Sequence, residues 1–409
     1  LHPEGANGGV IKTPAKIGPG EDRAEIALFD FISHATMHLP FNEGYIRTLA
    51  AMFPTERIVF HACEGQVANL TPRLTDLPNV AFMVCAPFTV PFGLSRHNPL
   101  GGWLAARTCR RTMETALSGV KPRLVVLLGV DANLCAVIGR GWPKISAAPL
   151  HMILHGQLGD TMVWRSRNPL IRAFDFIARI KRPLPPSVTL VALELGVEEA
   201  IKTIAPNNKS VVTVEHPILI GEWSEGAQNG DDKALTVAFL GNARRSKGFG
   251  VFVNLAAGAL RADLRFEAIG VAAPDTGDLD VTALSRKPSR TSLSREDYVA
   301  AVQAADLICL PLHSRAYDFT ASGTVSDAVA ALKPLLAFRT RTLDAIVAKY
   351  GPIGWLVDSE AEMLYLLQTL DIKKFKTSST QWVENLRKIR EARRPENIAA
   401  AYAGIIDGV

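Results

Sequence analysis

Long apolar runs are missing from this chain of 409 residues. No stretch approaches the roughly 18 to 20 apolar residues that a bilayer-spanning helix needs. The first twenty residues carry Gly, Pro and Lys and lack an apolar h-region, so they do not read as a secretory signal. Cysteine is scarce: Cys63, Cys85, Cys109, Cys135 and Cys309 are five in number, widely spaced and without a C-x-x-C pair. Each sits in or beside an apolar run and reads as a small buried hydrophobe rather than part of a disulfide or zinc framework. That pattern suggests a reducing cytoplasm. Charge of one sign is not in excess either, and a net +5 is too little to argue for nucleic acid. With 48% hydrophobic and 21% charged residues, disorder and coiled coil are excluded as descriptions of the whole.

What is present is alternation. Short continuous apolar runs at Glu25–Phe31, Arg57–His61, Asn79–Ala86, Arg123–Val130, Pro149–His155, Val188–Leu193 and Ser210–Val214 read as buried strands. Helical stretches lie between several of them: Gly44–Met52, Trp103–Ser118, Ala132–Gly139 and Asn168–Lys181. Glu215–Lys233 breaks the pattern with Pro217, three glycines and Asp231-Asp232. It then restarts with strands at Leu235–Leu240, Leu264–Ile269, Asp306–Leu312, Pro334–Phe338 and Gly354–Val357, and helices from Ser246, Ser294 and Ser322. Two successive α/β halves imply two doubly wound, Rossmann-like domains facing a cleft. The expected division is 1–217, 218–385 and a C-terminal helix, 386–409, packing back on the first domain. Ligands in such sheets bind beyond the carboxyl ends of the strands, so the β→α loops hold the candidates.

The first candidate is Gly241-Asn242-Ala243-Arg244-Arg245-Ser246-Lys247-Gly248. It follows a strand and precedes a helix expected to bury Phe249, Phe252, Val253, Ala256 and Leu260. Arg244, Arg245 and Lys247 thus gather at a helix N-terminus, where free N–H groups and the dipole already favour negative charge. Three cations there oppose the dipole, and a bound anion is the simplest compensation. The spacing matches neither G-x-G-x-x-G nor a Walker loop, so a nucleoside diphosphate held without those motifs fits better. The second candidate is the turn before the helix from Ser322. Ser322 is placed to cap it, Gly323 lets a ligand approach the backbone, and the N–H groups of Gly323, Thr324 and Val325 form an anion cradle. Asp327, one turn inside, is placed to accept from a ribose diol.

The order G…R…KG, then A-A-D-L-I-C-L-P-L from Ala304 and S-G-T-V-S-D-A-V-A-A-L-K-P from Ser322, resembles the second domain of retaining GT-B glycosyltransferases of the GT4 type. Ser294-Arg-Glu-Asp297-Tyr298 and Tyr350-Gly-Pro-Ile-Gly-Trp-Leu-Val357 fit the same pattern, which covers roughly residues 236–367. The resemblance implies a nucleotide-sugar donor, with Lys247 and either Arg244 or Arg245 on its diphosphate. Gly241, Asn242, Tyr317, Ser322, Gly323, Thr324 and Asp327 complete the donor side. Asp327 falls at the second glutamate of the family's E-x7-E motif, and Phe319 stands where the first would be. In such an enzyme the leaving diphosphate takes the acceptor's proton, so no protein base and no metal or other cofactor is needed.

In the first half, His155 ends a strand at the expected cleft edge, where the resemblance suggests a histidine that touches the sugar. His34 and His38 flank the first β→α loop with Asn42 and Glu43, and His38 and Glu43 form the acceptor side. Trp164–Arg182 carries six basic residues and one acid among Leu170, Ile171, Phe174, Phe176, Ile177 and Ile180. Asn168 caps the stretch and Pro169 opens it. Apolar and basic stripes together suggest an anionic membrane surface, and Arg107, Arg110 and Arg111 extend it if they lie nearby. A core-packed helix with a solvated basic face accounts for Leu170, Phe174 and Ile177 equally well. The expected activity is transfer of a hexose to a glycan or polyprenyl-linked acceptor at the inner face of the cell membrane. The rivals are a two-lobed solute-binding protein without catalysis, and a GT-B epimerase or inverting transferase using Glu43 or His38.

Overall fold

The computed structural model describes residues 25–91, 98–224, 234–312 and 314–407. The leading segment read for a signal and residues 225–233 of the expected boundary lie outside them. The described residues form twelve strands: β1 Glu25–Asp30, β2 Arg57–Ala62, β3 Val80–Val84, β4 Pro122–Leu127, β5 Leu150–Leu154, β6 Val188–Ala192, β7 Val211–Thr213, β8 Leu235–Leu240, β9 Leu264–Ile269, β10 Leu307–Leu310, β11 Leu335–Phe338 and β12 Gly354–Val357. Each overlaps an expected strand. In the inner strands the apolar runs are continuous because both faces are covered; the edge strand β3 is open, with Met83 50% and Val84 61% exposed. In β8, Leu235, Val237 and Phe239 enter one core while Ala238 and Leu240 enter the other. β1 divides Ala27 and Phe29 from Ile26 and Leu28 in the same way.

The strands pair in two parallel sheets, β3-β2-β1-β4-β5-β6-β7 and β12-β11-β10-β8-β9. The strand order reverses between β1 and β4 and between β8 and β10. Adjacent crossovers leave on opposite faces there, so a crevice opens beyond the strand ends. The two lobes meet across it: Ala321 N–H donates to the His155 carbonyl at 3.2 Å. The helix Gln157–Trp164 lies against Ser314–Tyr317 so closely that a Cβ on Gly159 would come within 2.2 Å of the Ala316 oxygen.

The chain crosses between the lobes twice. The helix Ile372–Ala392 sets Leu386 and Ile389 in the second lobe's core, so the return does not begin at residue 386 as expected. It begins with the helix Pro395–Asp407, whose Ile398 and Tyr402 enter the first lobe's core. Tyr45 Oη donates to Tyr402 Oη at 2.9 Å, and Tyr402 Oη lies 2.6 Å from His151 Nδ1. At the crossing Arg393 is 0% exposed. Its Nη1 and Nη2 donate to Glu194 at 3.0 and 2.7 Å, and its Nε donates to Glu215 at 3.0 Å. Lys349 pairs with Glu215 as well, at 2.5 Å. Burial pushes Glu194 up despite Arg393; it pushes Glu215 up too, but there Arg393 and Lys349 prevail and the net shift is down.

Four local expectations need correction. The first helix is Leu39–Met52 rather than Gly44–Met52, because Pro40 suits the first helical turn. Leu260 is 88% exposed in a left-handed C-cap (φ 46°) and lies outside the buried stripe. Arg244–Gly248 is not yet α-helical: a 3-10 turn over Arg245–Lys247 precedes the helix Phe249–Ala259. The stretch from Asn168 is not one helix but two short ones, Pro169–Arg172 and Phe176–Ile180. Asn168 caps the first as expected, and Asp175 interrupts the stretch by capping the second through Ala178 N–H at 2.7 Å.

Arg393→Ala should destabilise the protein by about 3–5 kcal/mol in urea unfolding at neutral pH, because Glu194 is left buried without its cation. A loss under about 1 kcal/mol would show that water relieves the site.

Candidate active site at the two sheet edges

The loops after β8 and β10, which flank the second sheet's switch point, come together. Gly241 has φ +85°, a left-handed backbone that glycine adopts without strain. A Cβ placed there would meet Thr324 Cγ2 at 3.1 Å and Lys247 Nζ at 3.7 Å. Gly248 (φ +78°) tolerates no Cβ, which would fall 1.9 Å from the Pro311 carbonyl. The two loops are therefore clamped on each other, with Lys247, Gly241 and Thr324 at one point.

The Lys247 ammonium forms no hydrogen bond or ion pair among the described residues, while its backbone N–H donates to the Arg244 carbonyl at 3.0 Å. Burial lowers its pKa, Arg244 lowers it further, and the Asp327 carboxylate partly offsets both. Arg244 is exposed beside it, whereas Arg245 is drawn away. Arg245 Nη2 donates to both Asp278 oxygens at 2.6 and 2.5 Å, and its Nε donates to the Asp275 carbonyl at 2.8 Å. Of the two arginines, then, Arg244 stands with Lys247. Asn242 Oδ1 is buried, an acceptor without a donor among the described residues.

Ser322 does not cap its helix. Its Oγ pairs with Thr324 Oγ1 at 2.9 Å, while its carbonyl accepts from Val325 and Ser326 N–H at 3.0 and 3.1 Å. The cradle is thus smaller than expected: Val325 is spent, and among the described residues the open donors are the Gly323 and Thr324 N–H groups, with no described atom within 4 Å of where a Cβ on Gly323 would lie. Asp327 is engaged already. Tyr298 Oη donates to its Oδ2 at 2.8 Å, and Arg295 Nη1 stands 3.8 Å from Oδ1. Burial raises the Asp327 pKa against the pull of Arg295. Tyr317 faces the other lobe. Burial and the Asp160 carboxylate push its phenol up to about 12, with Arg244 opposing.

The first lobe brings a group of rings to the same crevice. His155 Nε2–H donates to the Leu128 carbonyl at 2.9 Å, which leaves Nδ1 as an acceptor. The His38 ring lies 4.7 Å from it and that of Phe41 4.3 Å. His216 reaches Phe41 at 4.9 Å and uses its Nδ1–H on the Pro217 carbonyl. Burial depresses all three histidines, and their mutual fields add to it for His155 and His216; Asp30 pulls His38 back up. His38 has φ 57°, a left-handed conformation that costs a non-glycine residue about 1–3 kcal/mol and persists only where its surroundings enforce it.

Asn42 and Glu43 turn away from the rings. Asn42 Nδ2 donates to Asp30 and Gln66 at 2.8 and 3.0 Å. Glu43 is buried against Arg47 and Arg73, at 3.2 and 3.3 Å, and so does not face an acceptor. It belongs to a chain of charges across the lobes: Arg73 reaches Glu222 at 3.2 Å, Glu222 reaches Arg295 at 2.6 Å, and Arg295 faces Asp327. Neither His216 nor the Arg295–Tyr298 support for Asp327 was assigned a role from sequence. His216 stands just after β7, at the carboxyl edge where any polar residue is a candidate, and that position was its only signal.

No family model matches the chain, and no curated protein matches it at significance. Solved structures do. The Anabaena protein HepE, solved with UDP and glucose, superposes with a TM-score of 0.64 at 15% identity over 94% of this chain and 100% of its own. WaaG, a glycosyltransferase involved in lipopolysaccharide biosynthesis, gives 0.60 at 13% over 94% and 100%. The Arabidopsis thaliana protein UGT89C1, complexed with UDP, gives 0.54 at 13% over the same shares. The shared architecture is the GT-B fold: two Rossmann-like domains facing a cleft.

Acid should weaken the fold through the histidines. In the folded chain His61, His151 and His216 resist protonation down to about 4, while unfolded histidines take protons near 6.5. Between those values the unfolded state binds more protons, so stability is level above pH 6.5 and falls as pH drops toward 4. Three such groups give up to about 4 kcal/mol per pH unit. Urea unfolding at pH 7, 6 and 5 reads this directly, and equal stability at pH 7 and 5 would contradict it.

Proposed function

We propose that the chain is a hexosyltransferase that moves a sugar from a nucleotide-diphosphate donor to a glycan or polyprenyl-linked acceptor in surface polysaccharide or glycoconjugate synthesis. The observation that carries this reading is the unneutralised Lys247 ammonium beside Gly241, next to Arg244 and the open Gly323 and Thr324 N–H groups at a sheet switch point. A diphosphate supplies the missing negative charge and accepts from both N–H groups. It would also return the Lys247 pKa upward. That HepE and UGT89C1 were solved with UDP supports a uridine nucleotide as the first donor to try.

Chemistry follows from the charge. Cleaving the bond between the sugar's anomeric carbon and the diphosphate leaves negative charge on a phosphate oxygen. Lys247, Arg244 and the two N–H groups stabilise it, the work a metal does elsewhere, so the reaction is read as metal-independent. The same oxygen takes the proton of the acceptor hydroxyl as that hydroxyl bonds to the anomeric carbon, on the face the diphosphate leaves, so configuration is retained. His155 accepts from a sugar hydroxyl at Nδ1. Asp327, fixed by Tyr298, keeps lone pairs for a ribose hydroxyl, and Asn242 Oδ1 accepts a further donor-side hydrogen. A polyprenyl acceptor places the enzyme at the cytoplasmic face of a membrane. One observation favours a second reading: His38 stands in a strained conformation at the cleft edge, its imidazole pKa lowered, as a base in an inverting enzyme would stand. An inverted product anomer would select that reading.

The test is a thermal-shift panel of UDP, GDP, ADP, CMP and their sugar conjugates, with EDTA. Ligand at about 100 times its dissociation constant adds roughly 2.7 kcal/mol. One diphosphate should shift the wild type and Arg245→Ala alike, persist in EDTA and fail with Lys247→Ala. No shift with any nucleotide would sink the reading in favour of a solute-binding protein.

A further inference from the structure

Opposite in character to the crevice, one outer face of the first lobe combines exposed hydrocarbon with a cluster of arginines. On the short helix Pro169–Arg172 and just after it, Leu170 is 75% exposed, Ile171 47% and Phe174 44%. Met162 and Val163, at the end of the preceding helix, are exposed as well. The ridge rests on a firm base, because Phe176, Ile177 and Ile180 of the next helix are in the core.

Directly behind it stand the cations. The Arg179 guanidinium lies over the Phe174 ring at 4.9 Å. Arg140 Nη2 donates to the Arg179 carbonyl at 3.0 Å, and both arginines lie in the field of Arg182. The Nε atoms of Arg140 and Arg179 are buried and make no hydrogen bond among the described residues. Arg110 comes up on the far side, its Nη1 2.9 Å from where a Cβ on Gly141 would lie, but its Nε already donates to Glu114 at 2.7 Å. Along the segment the single carboxylate, Asp175, is used on Arg165 at 2.8 Å. Arg167, Arg172, Lys181 and Arg182 are exposed without an ion pair among the described residues. The Asp131 carboxylate offsets part of this positive charge at Arg179, and the remaining like charges, with N–H groups left over, still favour a further anion between them.

We infer that this face docks on an anionic lipid bilayer, with Leu170, Ile171 and Phe174 entering the acyl boundary and Arg140, Arg179 and Arg182 taking lipid phosphates. A bilayer offers hydrocarbon and phosphate a few ångströms apart over an unlimited area, and it accepts an apolar ridge without needing a complementary groove. The surface rests on the proposed polyprenyl acceptor only for its purpose. Vesicle binding needs neither donor nor acceptor, so it stands or fails apart from the transferase reading.

The experiment is co-sedimentation of the full chain with phosphatidylcholine vesicles and with mixed phosphatidylcholine–phosphatidylglycerol vesicles, at low and high salt. Binding should require phosphatidylglycerol and weaken with salt. Arg140→Gln/Arg179→Gln/Arg182→Gln should lower affinity by roughly 100-fold at low salt. Leu170→Ser/Ile171→Ser/Phe174→Ser, all at exposed positions, should lower it at least about tenfold while leaving the nucleotide thermal shift intact. Equal binding to both vesicle types, no binding to either, or unchanged binding by the serine variant overturns the inference. So does concentration-dependent dimerisation by light scattering that the serine variant abolishes, since that makes the face a protein interface.

Discussion

Everything on the cleft side depends on a guanidinium that has no access to water. Arg393 sits where the chain passes from one lobe to the other for the second time, and its charge cannot be discharged by deprotonation. Glu194 from the first lobe and Glu215 from the connecting segment must therefore stay on it, with Lys349 from the second lobe closing the balance. Ile218 N–H donates to the Arg393 carbonyl at 2.8 Å, so the two crossings are tied by backbone as well. A buried ion pair is a weak source of stability but a strict one for geometry: any arrangement that separates these groups leaves a bare charge in the interior. The hinge thus has one resting arrangement, and the His155 edge meets the Ser322 turn because of it.

Within that frame the two switch points are unequal. The second lobe offers positive charge and open N–H groups; the first offers neutral imidazoles and an aromatic ring. On the proposed reading, the anionic part of a donor goes to the one and its uncharged, hydroxylated part to the other. The chain Glu43–Arg73–Glu222–Arg295–Asp327 runs between them. Apart from the buried Glu43, its members are partly open to solvent, so the links from Arg73 onward contribute little to stability. Together they fix the carboxylate of Asp327 from the opposite lobe.

The strands and the two-lobed architecture were legible because strands covered on both faces need continuous apolar runs, and such runs are local. Lys247 and the Ser322–Thr324 turn were legible for a similar reason, since a strand end followed by a helix start fixes a position in space. What could not be read depended on remote partners. Arg245 and Arg244 are neighbours in sequence, and only Asp278, thirty-three residues away, decides which one faces the crevice. Glu43 looked free until Arg73 supplied its partner. Asp175 ended a helix that basic and apolar periodicity had carried through, because a carboxylate able to cap the next turn outweighs a stripe that solvent can tolerate. All five cysteines are free, four of them buried, which their apolar surroundings had implied.

The return of the Pro395–Asp407 helix to the first lobe has a consequence for synthesis. Tyr45 and His151 lack Tyr402 until residues 214–394 have been made. At about 5–20 residues per second that wait lasts roughly ten seconds or more. Throughout it the nascent first lobe carries a gap where Ile398 and Tyr402 will lie, and it can close only after the second lobe has emerged. The lobes are separate in architecture, yet in biogenesis the earlier one matures last.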